Sequence, residues 1–438
     1  MHRVLAYSRP CWHDWWVKVV TSAFEDCAIE YLSEFKTQPC IWIMGEFYKY
    51  WNQEEVEHKL NDELIYEEVI ARDRLLRNLD KNKAESIVDA MWSALNAILN
   101  EWKPTIVISI TVDHYVLDLL SRSCKEKGIK FIGVSNCPLS GYSLITERGE
   151  LNLIRQPSQQ EVTSVVKELQ TPEYKPAYAA LKKYTFHGHV SRVLKFNAKR
   201  IVSWVKRYKD PMNFFYISLP YFTDRKNIFY YFSVKYFDYE YKNKLECTKL
   251  PVVYIPLHYV PEATVDYWTR RLESIKYERE LFKLIETLGD KVLIVVKEHP
   301  ASIGTRNSEF YKRLLKTTNL LLVSSNESSR GVLSCSDYVI TWTGTVGLEA
   351  SIMGKTVFLI GDPYYYEESS FIKVKDVGDF VNVRLEDDSS YLRNSKERAN
   401  KIIANLLPGT VRGTFGQNGY MNDENARILG QSIREHCY

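Results

Sequence analysis

A strand–helix alternation that occurs twice constrains this chain more than any other feature. From Leu250 onward, five short apolar runs read as strands: Val252–Ile255, Val292–Val296, Leu320–Val323, Tyr338–Thr341 and Val357–Ile360. Segments of helical periodicity around Glu278–Leu288, Phe310–Lys316, Gly347–Met353 and Ser395–Leu407 separate them. Such runs with amphipathic stretches between them predict a parallel sheet with right-handed crossovers. The same rhythm runs through residues 1–155, with strands at Arg3–Tyr7, Ile41–Met44, Thr105–Ile110 and Phe131–Val134. A helix over Ala84–Trp102 ends before Pro104. The expected fold is α/β: two Rossmann-like domains facing each other across a cleft. They span residues 1–155 and 250–438, with the last helix able to pack back on the first domain. At 438 residues the chain is long enough for a real core in each.

The intervening residues 156–249 have another texture. Between Lys182 and Lys249 there are fifteen Lys/Arg against five Asp/Glu, with many Tyr and Phe. This predicts a helical, basic and aromatic connector. It is either a hairpin with aromatics inside and cations outside, or a face that holds an anionic membrane surface. Elsewhere the chain is ordinary: 45% hydrophobic and 26% charged residues are globular values that exclude wholesale disorder. A net charge of +3 points to no partner, and no nucleic acid is expected. The eight cysteines form no C-x-x-C pair, which argues against a zinc site or disulfide framework and fits a reducing compartment. No signal peptide is visible, and no run approaches the roughly 18–20 apolar residues of a membrane span. The expected location is the cytoplasm, or the inner face of the membrane.

Three loops in the second half carry side chains suited to chemistry. Lys297-Glu298-His299-Pro300 directly follows a strand, so Lys297 and His299 stand at the carboxyl edge of the sheet, where α/β folds bind ligands. Pro300 ends the strand, and the two side chains suit a phosphate and the charge of a leaving group. The alternative is a surface turn with a solvated lysine. Thr343-Gly344-Thr345 leads from a strand into a helix, with Gly344 allowing close backbone approach and Thr343 or Thr345 suited to cap the helix. Glu349, one turn in, is placed to reach a ribose hydroxyl. Neither the Walker spacing nor G-x-G-x-x-G is present. The loop Pro256–Thr264 supplies His258 and Glu262 to the same edge. On the other half, Ser8 and Arg9 follow the first strand, a frequent acceptor-side position. Arg72-Asp73-Arg74 reads as a solvated helix face.

The segments VVYIPLHYVPEAT, VVKEHP, Arg306 with Tyr311, WTGTVGLEA and GKTVFLIGDPYY resemble the capsule polysaccharide biosynthesis proteins over roughly residues 250–370. That family includes Kdo transferases of bacterial capsule assembly. The resemblance implies a GT-B glycosyltransferase that needs no bound metal or other cofactor and retains anomeric configuration. Its co-substrate would be a nucleotide sugar, CMP-Kdo or a similar CMP-activated ulosonic acid rather than a UDP- or GDP-sugar, and its acceptor a saccharide or glycolipid. The alternatives are a nucleotide-sugar epimerase on the same fold and a non-catalytic polysaccharide-assembly or binding protein. By the same resemblance His258, Glu262, Lys297, His299, Pro300, Arg306, Thr343, Gly344, Thr345 and Glu349 belong to the donor site. Relatives carry an acidic residue before a Gly-Tyr or Gly-Phe pair in the N-terminal half. This chain has Ser135-Asn136-Cys137-Pro138-Leu139-Ser140-Gly141-Tyr142 there, with Asn136 toward the acceptor and no carboxylate. Asp113, just past the strand Thr105–Ile110, and Glu147 are the substitutes; capping the following helix is the alternative role for Asp113.

Overall fold

The computed structural model describes residues 2–36, 39–51, 53, 60, 62–171, 174, 185–218, 228–302, 305–381, 394–416 and 419–438. Two sheets organise them. The first contains β1 (Arg3–Tyr7), β2 (Ala28–Ser33), β3 (Ile41–Trp42), β4 (Ile106–Ile110), β5 (Lys130–Asn136) and β6 (Tyr142–Ile145). The second contains β7 (Val252–Pro256), β8 (Leu293–Lys297), β9 (Leu320–Val323), β10 (Tyr338–Thr341), β11 (Thr356–Leu359) and β12 (Ile372–Lys373). A last strand, β13 (Thr410–Arg412), returns to the first sheet and pairs antiparallel with β6. The second sheet runs β12-β11-β10-β7-β8-β9 with every pair parallel. That is the 3-2-1-4-5-6 order of a Rossmann-like sheet. In the first, the parallel strands β3-β2-β1-β4-β5 reverse at the same point, between β1 and β4.

These topologies follow from the strand sequences. Every residue of β4 (IVISI) and β7 (VVYIP) is buried, as expected for strands covered by helices on both faces. The helix Lys81–Trp102 starts where the Asp80 carboxylate accepts from the Asn82 and Lys83 N–H groups. It stops at Lys103, whose φ of 50° breaks the helix before Pro104. At Ile41–Met44 the structure corrects the expected strand. Only Ile41–Trp42 pairs in the sheet, and a helix runs over Ile43–Trp51. Ile43, Met44 and Phe47 are buried at helical spacing, and four residues are too few to show which period governs.

The chain ends on the first sheet's side. The helix Asp423–Cys437 lies against the helix His13–Ala23, with Lys18 bonded to Asp423 (2.6 Å) and Trp15 Nε1 donating to the Asn422 carbonyl (3.2 Å). Between the halves stands the triplet Arg72-Asp73-Arg74, and it is not a solvated face. Arg72 and Asp73 are buried. The Arg72 guanidinium donates to the carbonyls of Asp266 (3.0 Å), Thr269 (2.8 Å) and Arg270 (3.2 Å), while Asp73 Oδ2 accepts from the Tyr267 hydroxyl (3.1 Å). Charged groups this buried persist because their hydrogen bonds offset desolvation. The triplet therefore fastens residues 266–270 of the second half to the first. Trp268 completes the contact, its Nε1 donating to Thr111 Oγ1 (3.2 Å). Gly149, at φ +88°, makes room for it, since a Cβ there would lie 2.6 Å from the Trp268 ring.

Candidate functional site

In a doubly wound sheet, ligands bind where strand order reverses, beyond the carboxyl ends of the strands. In the second sheet that point lies between β7 and β10. A cavity of about 540 Å³ opens there, within the roughly 300–1,000 Å³ usual for small-molecule sites. Its walls are the loops after β7, β8 and β10, and the first half contributes Thr111, Ser135 and Asn136. Of the residues expected from sequence, the cavity brings together His258, Glu262, Lys297, His299, Pro300, Thr343, Gly344, Thr345, Glu349 and Asn136. Ser8, Arg9, Asp113, Glu147 and Arg306 are not among its lining residues.

Lys297 is the last residue of β8, and its side chain is buried. Among the described residues it makes no hydrogen bond or ion pair. Burial brings its pKa down to about 8, against the opposing pull of Glu298 and Glu349. It is still mainly protonated at pH 7. His299 stacks on Tyr259 with ring centroids 5.7 Å apart, and its Nδ1 accepts from the Ala301 N–H (3.1 Å). The neutral ring therefore carries its proton on Nε2 and is a donor there. Burial, then Lys297 and Arg306, lower its pKa to about 4. His258 contacts Thr341 Oγ1 (3.3 Å); burial, His299 and Arg306 bring it down to about 3. At neutral pH both imidazoles are uncharged and Lys297 carries the positive charge between them.

Arg306 stands behind this wall. It pairs with the fully buried Glu298 carboxylate and donates to the His258 carbonyl (2.7 Å). Glu298 also accepts from the Tyr311 hydroxyl (2.7 Å) and the His299 N–H (2.6 Å). The guanidinium thus fixes the backbone that presents His258 and His299. The resemblance places Arg306 in the donor site; in the structure it stands behind the cavity wall, bonded to Glu298 and the His258 carbonyl.

The turn after β10 differs from the expected cap. Thr343 donates to the Thr264 carbonyl (3.0 Å), tying this loop to the one after β7. Thr345 stands at the N-cap of the helix Val346–Ile352 without a side-chain cap bond. That helix has seven residues, so its end adds little field, and Lys297 dominates the local charge. Gly344 leaves little room: a Cβ there would lie 3.0 Å from Thr341 Oγ1 and 3.3 Å from His258 Cε1, so those side chains would have to give way. Glu349 sits 3.9 Å from Arg330, and burial raises its pKa despite Arg330 and Lys297. Sequence reading missed Thr111, Trp268, Ser329 and Tyr364, which also line the cavity. Trp268 and Tyr364 meet edge to face at 5.7 Å. The run of Tyr364, Tyr365 and Tyr366 after Pro363 was the available signal for an aromatic wall. Among the described residues no group of three or more His, Cys, Asp or Glu is placed to hold a metal ion.

Two of the other expected residues, Arg9 and Asp113, meet at the first sheet's own reversal point. Arg9 holds Asp113 with two bonds (2.7 and 3.0 Å), and His114 lies between Asp113 (2.6 Å) and Glu34. The Tyr7 hydroxyl donates to Glu34 Oε2 (2.5 Å). Burial alone would raise both carboxyls; Arg9 and His114 outweigh it at Asp113, and chiefly His114 at Glu34, holding both below the usual range. Glu34 and Asp113 in turn raise His114, against burial. Ser8 bonds His13 Nδ1 (2.8 Å), and Glu147 engages Ser121 and Arg148. Asp113 is therefore ion-paired, not a helix cap: the Tyr115 N–H is taken by Asp73 Oδ2 (2.8 Å).

Known structures with related architecture are distant. Thermosulfurimonas dismutans KpsC, a beta Kdo 2,7 transferase, is 11% identical with a TM-score of 0.41, covering 98% of each chain. The Staphylococcus aureus MnaA–UDP co-structure is 10% identical with a TM-score of 0.31, covering 100% of this chain and 96% of that one. A Neisseria meningitidis UDP-GlcNAc 2-epimerase bound to UDP-GlcNAc is 10% identical with a TM-score of 0.28, covering 87% and 90%. Likenesses this remote carry nothing about chemistry. No curated protein sequence matches the chain. In sequence, the segment that holds β8, β10 and their loops resembles one family: the capsule polysaccharide biosynthesis proteins, whose profile matches residues 276–368.

Proposed function

We propose that this chain is a glycosyltransferase of surface polysaccharide or glycolipid assembly, taking its donor, a CMP-activated ulosonic acid, into the 540 Å³ cavity. One observation carries the reading. Lys297, His299 and the Gly344 turn share a cavity with Ser135 and Asn136 of the other half, and the walls from β8 and β10 lie in the segment that matches the capsule family. A sugar leaving group departs as a phosphate with growing negative charge. The Lys297 ammonium offsets that charge and the His299 Nε2–H donates to the departing oxygen, both in a buried site where such contacts act strongly. A single phosphate needs only these two groups. A diphosphate calls for a further cation, and Arg306 is committed to Glu298 and the His258 carbonyl, which favours a CMP over a UDP or GDP donor.

Asp113 is the carboxylate we assign to the reacting sugar. It does not itself line the cavity; it follows Thr111, which does, by two residues, and Arg9 and His114 keep it ionised, as a charge stabiliser requires. Asp113→Asn should then keep donor binding and abolish transfer. The donor is tested by thermal shift with cytidine, uridine and guanosine nucleotides. At about 100 times its dissociation constant the right nucleotide stabilises the fold by roughly 2.7 kcal/mol. A shift with UDP or GDP and none with CMP overturns the donor assignment. Turnover of the sugar nucleotide without any acceptor would make the protein an epimerase instead.

A further inference from the structure

The helix Phe186–Lys209 is 24 residues long, holds seven Lys/Arg and no Asp/Glu, and buries only His189 and Val193. From Leu194 to its end no residue is buried. Its apolar side chains nevertheless do not scatter. Leu194, Ile201, Val202, Trp204, Val205 and Tyr208 are between 51% and 92% exposed. At 3.6 residues per turn they fall within an arc of about 160°. Lys195, Lys199 and Lys206 border one side of that arc, and Arg200 and Arg207 the other. The partly covered Phe196 and Ser203 lie on the opposite side. The hydrophobic face is thus turned away from the protein, the reverse of the hairpin with buried aromatics that sequence allowed. Phe229 and Phe232, 69% and 57% exposed, stand on the 3-10 stretch Ile228–Tyr236, which meets the start of the helix through Tyr231 and Phe186 (5.1 Å). Residues 182–184 and 219–227 of the basic connector lie outside the described residues.

We propose that this helix lies on an anionic lipid bilayer, with the Leu194–Tyr208 arc among the acyl chains and the flanking cations at the headgroups. An apolar arc bordered on both sides by Lys/Arg, with no acidic residue on the helix, complements a negatively charged interface with an oily interior. A helix of this length spans about 36 Å in the plane of the surface. No described helix is long and apolar enough to cross a membrane, so the contact is peripheral. Binding through this face is independent of which nucleotide the cavity takes.

Co-sedimentation of the full chain with vesicles tests it, using phosphatidylglycerol mixed with phosphatidylcholine against phosphatidylcholine alone. The wild type should partition onto the anionic vesicles and much less onto the zwitterionic ones. Lys195→Ala with Lys199→Ala should weaken that partition roughly thirtyfold, at about fivefold per cation. Trp204→Ser with Val205→Ser should weaken it by about tenfold or more through lost apolar burial. Both double variants should keep the wild-type melting temperature, because all four side chains face solvent. Equal binding to both vesicle types, or wild-type partition by the Trp204/Val205 variant, overturns the proposal. So does self-association of the wild type without vesicles that this variant loses, which would assign the face to a second copy.

Discussion

At the reversal point of the first sheet Arg9, Asp113, His114 and Glu34 neutralise one another, two positive groups against two negative ones. At the reversal point of the second, Lys297, His299 and His258 face a cavity, and none of the three is ion-paired among the described residues. The two sheets share a topology and differ in electrostatics. In the first, neighbours pull each charged group further into its charged form. In the second, burial pushes the cationic groups toward neutrality despite the pull of Glu298 and Glu349 on Lys297, and the ion pair that Lys297 lacks among the described residues is what an anionic ligand would bring. Substitutions that remove a cation should accordingly act in opposite directions in the two places.

The largest effect on stability is expected at Arg9. Arg9→Met leaves the half-buried Asp113 with His114 alone, and losing hydrogen bonds to a charged partner costs about 1.5–3 kcal/mol. Urea titration at pH 7 reads it directly; a change below about 1 kcal/mol would mean the cluster is not compensated as described. The pH dependence has a definite sign. Asp113 and Glu34, lowered in the folded state, contribute stability that is present above about pH 4 and lost as pH falls through their depressed pKa values. His114, raised, contributes fully below about pH 6.5 and loses its contribution as pH rises through its folded value.

His299→Ala comes next, and acts on chemistry. Loss of one pre-organised donor lowers turnover by roughly 10²–10³, or about 2.7–4 kcal/mol. The melting temperature should stay near wild type, since the Ala301 N–H bonded to the ring can turn to solvent. Full activity, or a variant that does not fold, would return His299 to a structural role.

Lys297→Met should be opposite in sign to Arg9→Met. Holding a buried ammonium whose pKa has fallen to about 8 costs the folded state roughly 3 kcal/mol at neutral pH. A methionine of similar length should recover about 1–3 kcal/mol of that. The gain should fade between about pH 8 and 10.4, because there the folded lysine has already lost its proton while the unfolded one keeps it. Destabilisation by Lys297→Met would contradict the contrast drawn between the two sheets.

Much of the fold was legible because buried parallel strands leave a run of apolar residues that little else mimics. The five strands that periodicity finds in the second half, β7 to β11, lie within a residue or two of where it puts them, whereas β12 and β13, two and three residues long, leave no such run. Legibility failed where tertiary partners decide. Ile41–Met44 carries too few residues to distinguish strand from helix. Arg72-Asp73-Arg74 looks solvated until the carbonyls of residues 266–270 close over it. Lys297, His299 and the Gly344 turn could be placed from strand ends alone, since topology brings those ends together. Arg306 could not: whether a guanidinium meets a ligand or a buried glutamate depends on Glu298, which sequence shows only as a charged neighbour. Trp268 and Tyr364 needed the contact between the two halves to be known.

The central claim is that the second sheet's cavity binds an anion through Lys297, and the most direct test is the affinity for cytidine monophosphate across pH 7–10. The Tyr254 and Tyr277 phenols are raised by burial and do not titrate in that interval. Affinity should therefore be level up to about pH 8 and then fall about tenfold per pH unit as Lys297 gives up its proton. In Lys297→Met it should be weak and flat. A wild-type affinity that stays constant to pH 10, or a Lys297→Met protein that binds as tightly as wild type, would contradict the account.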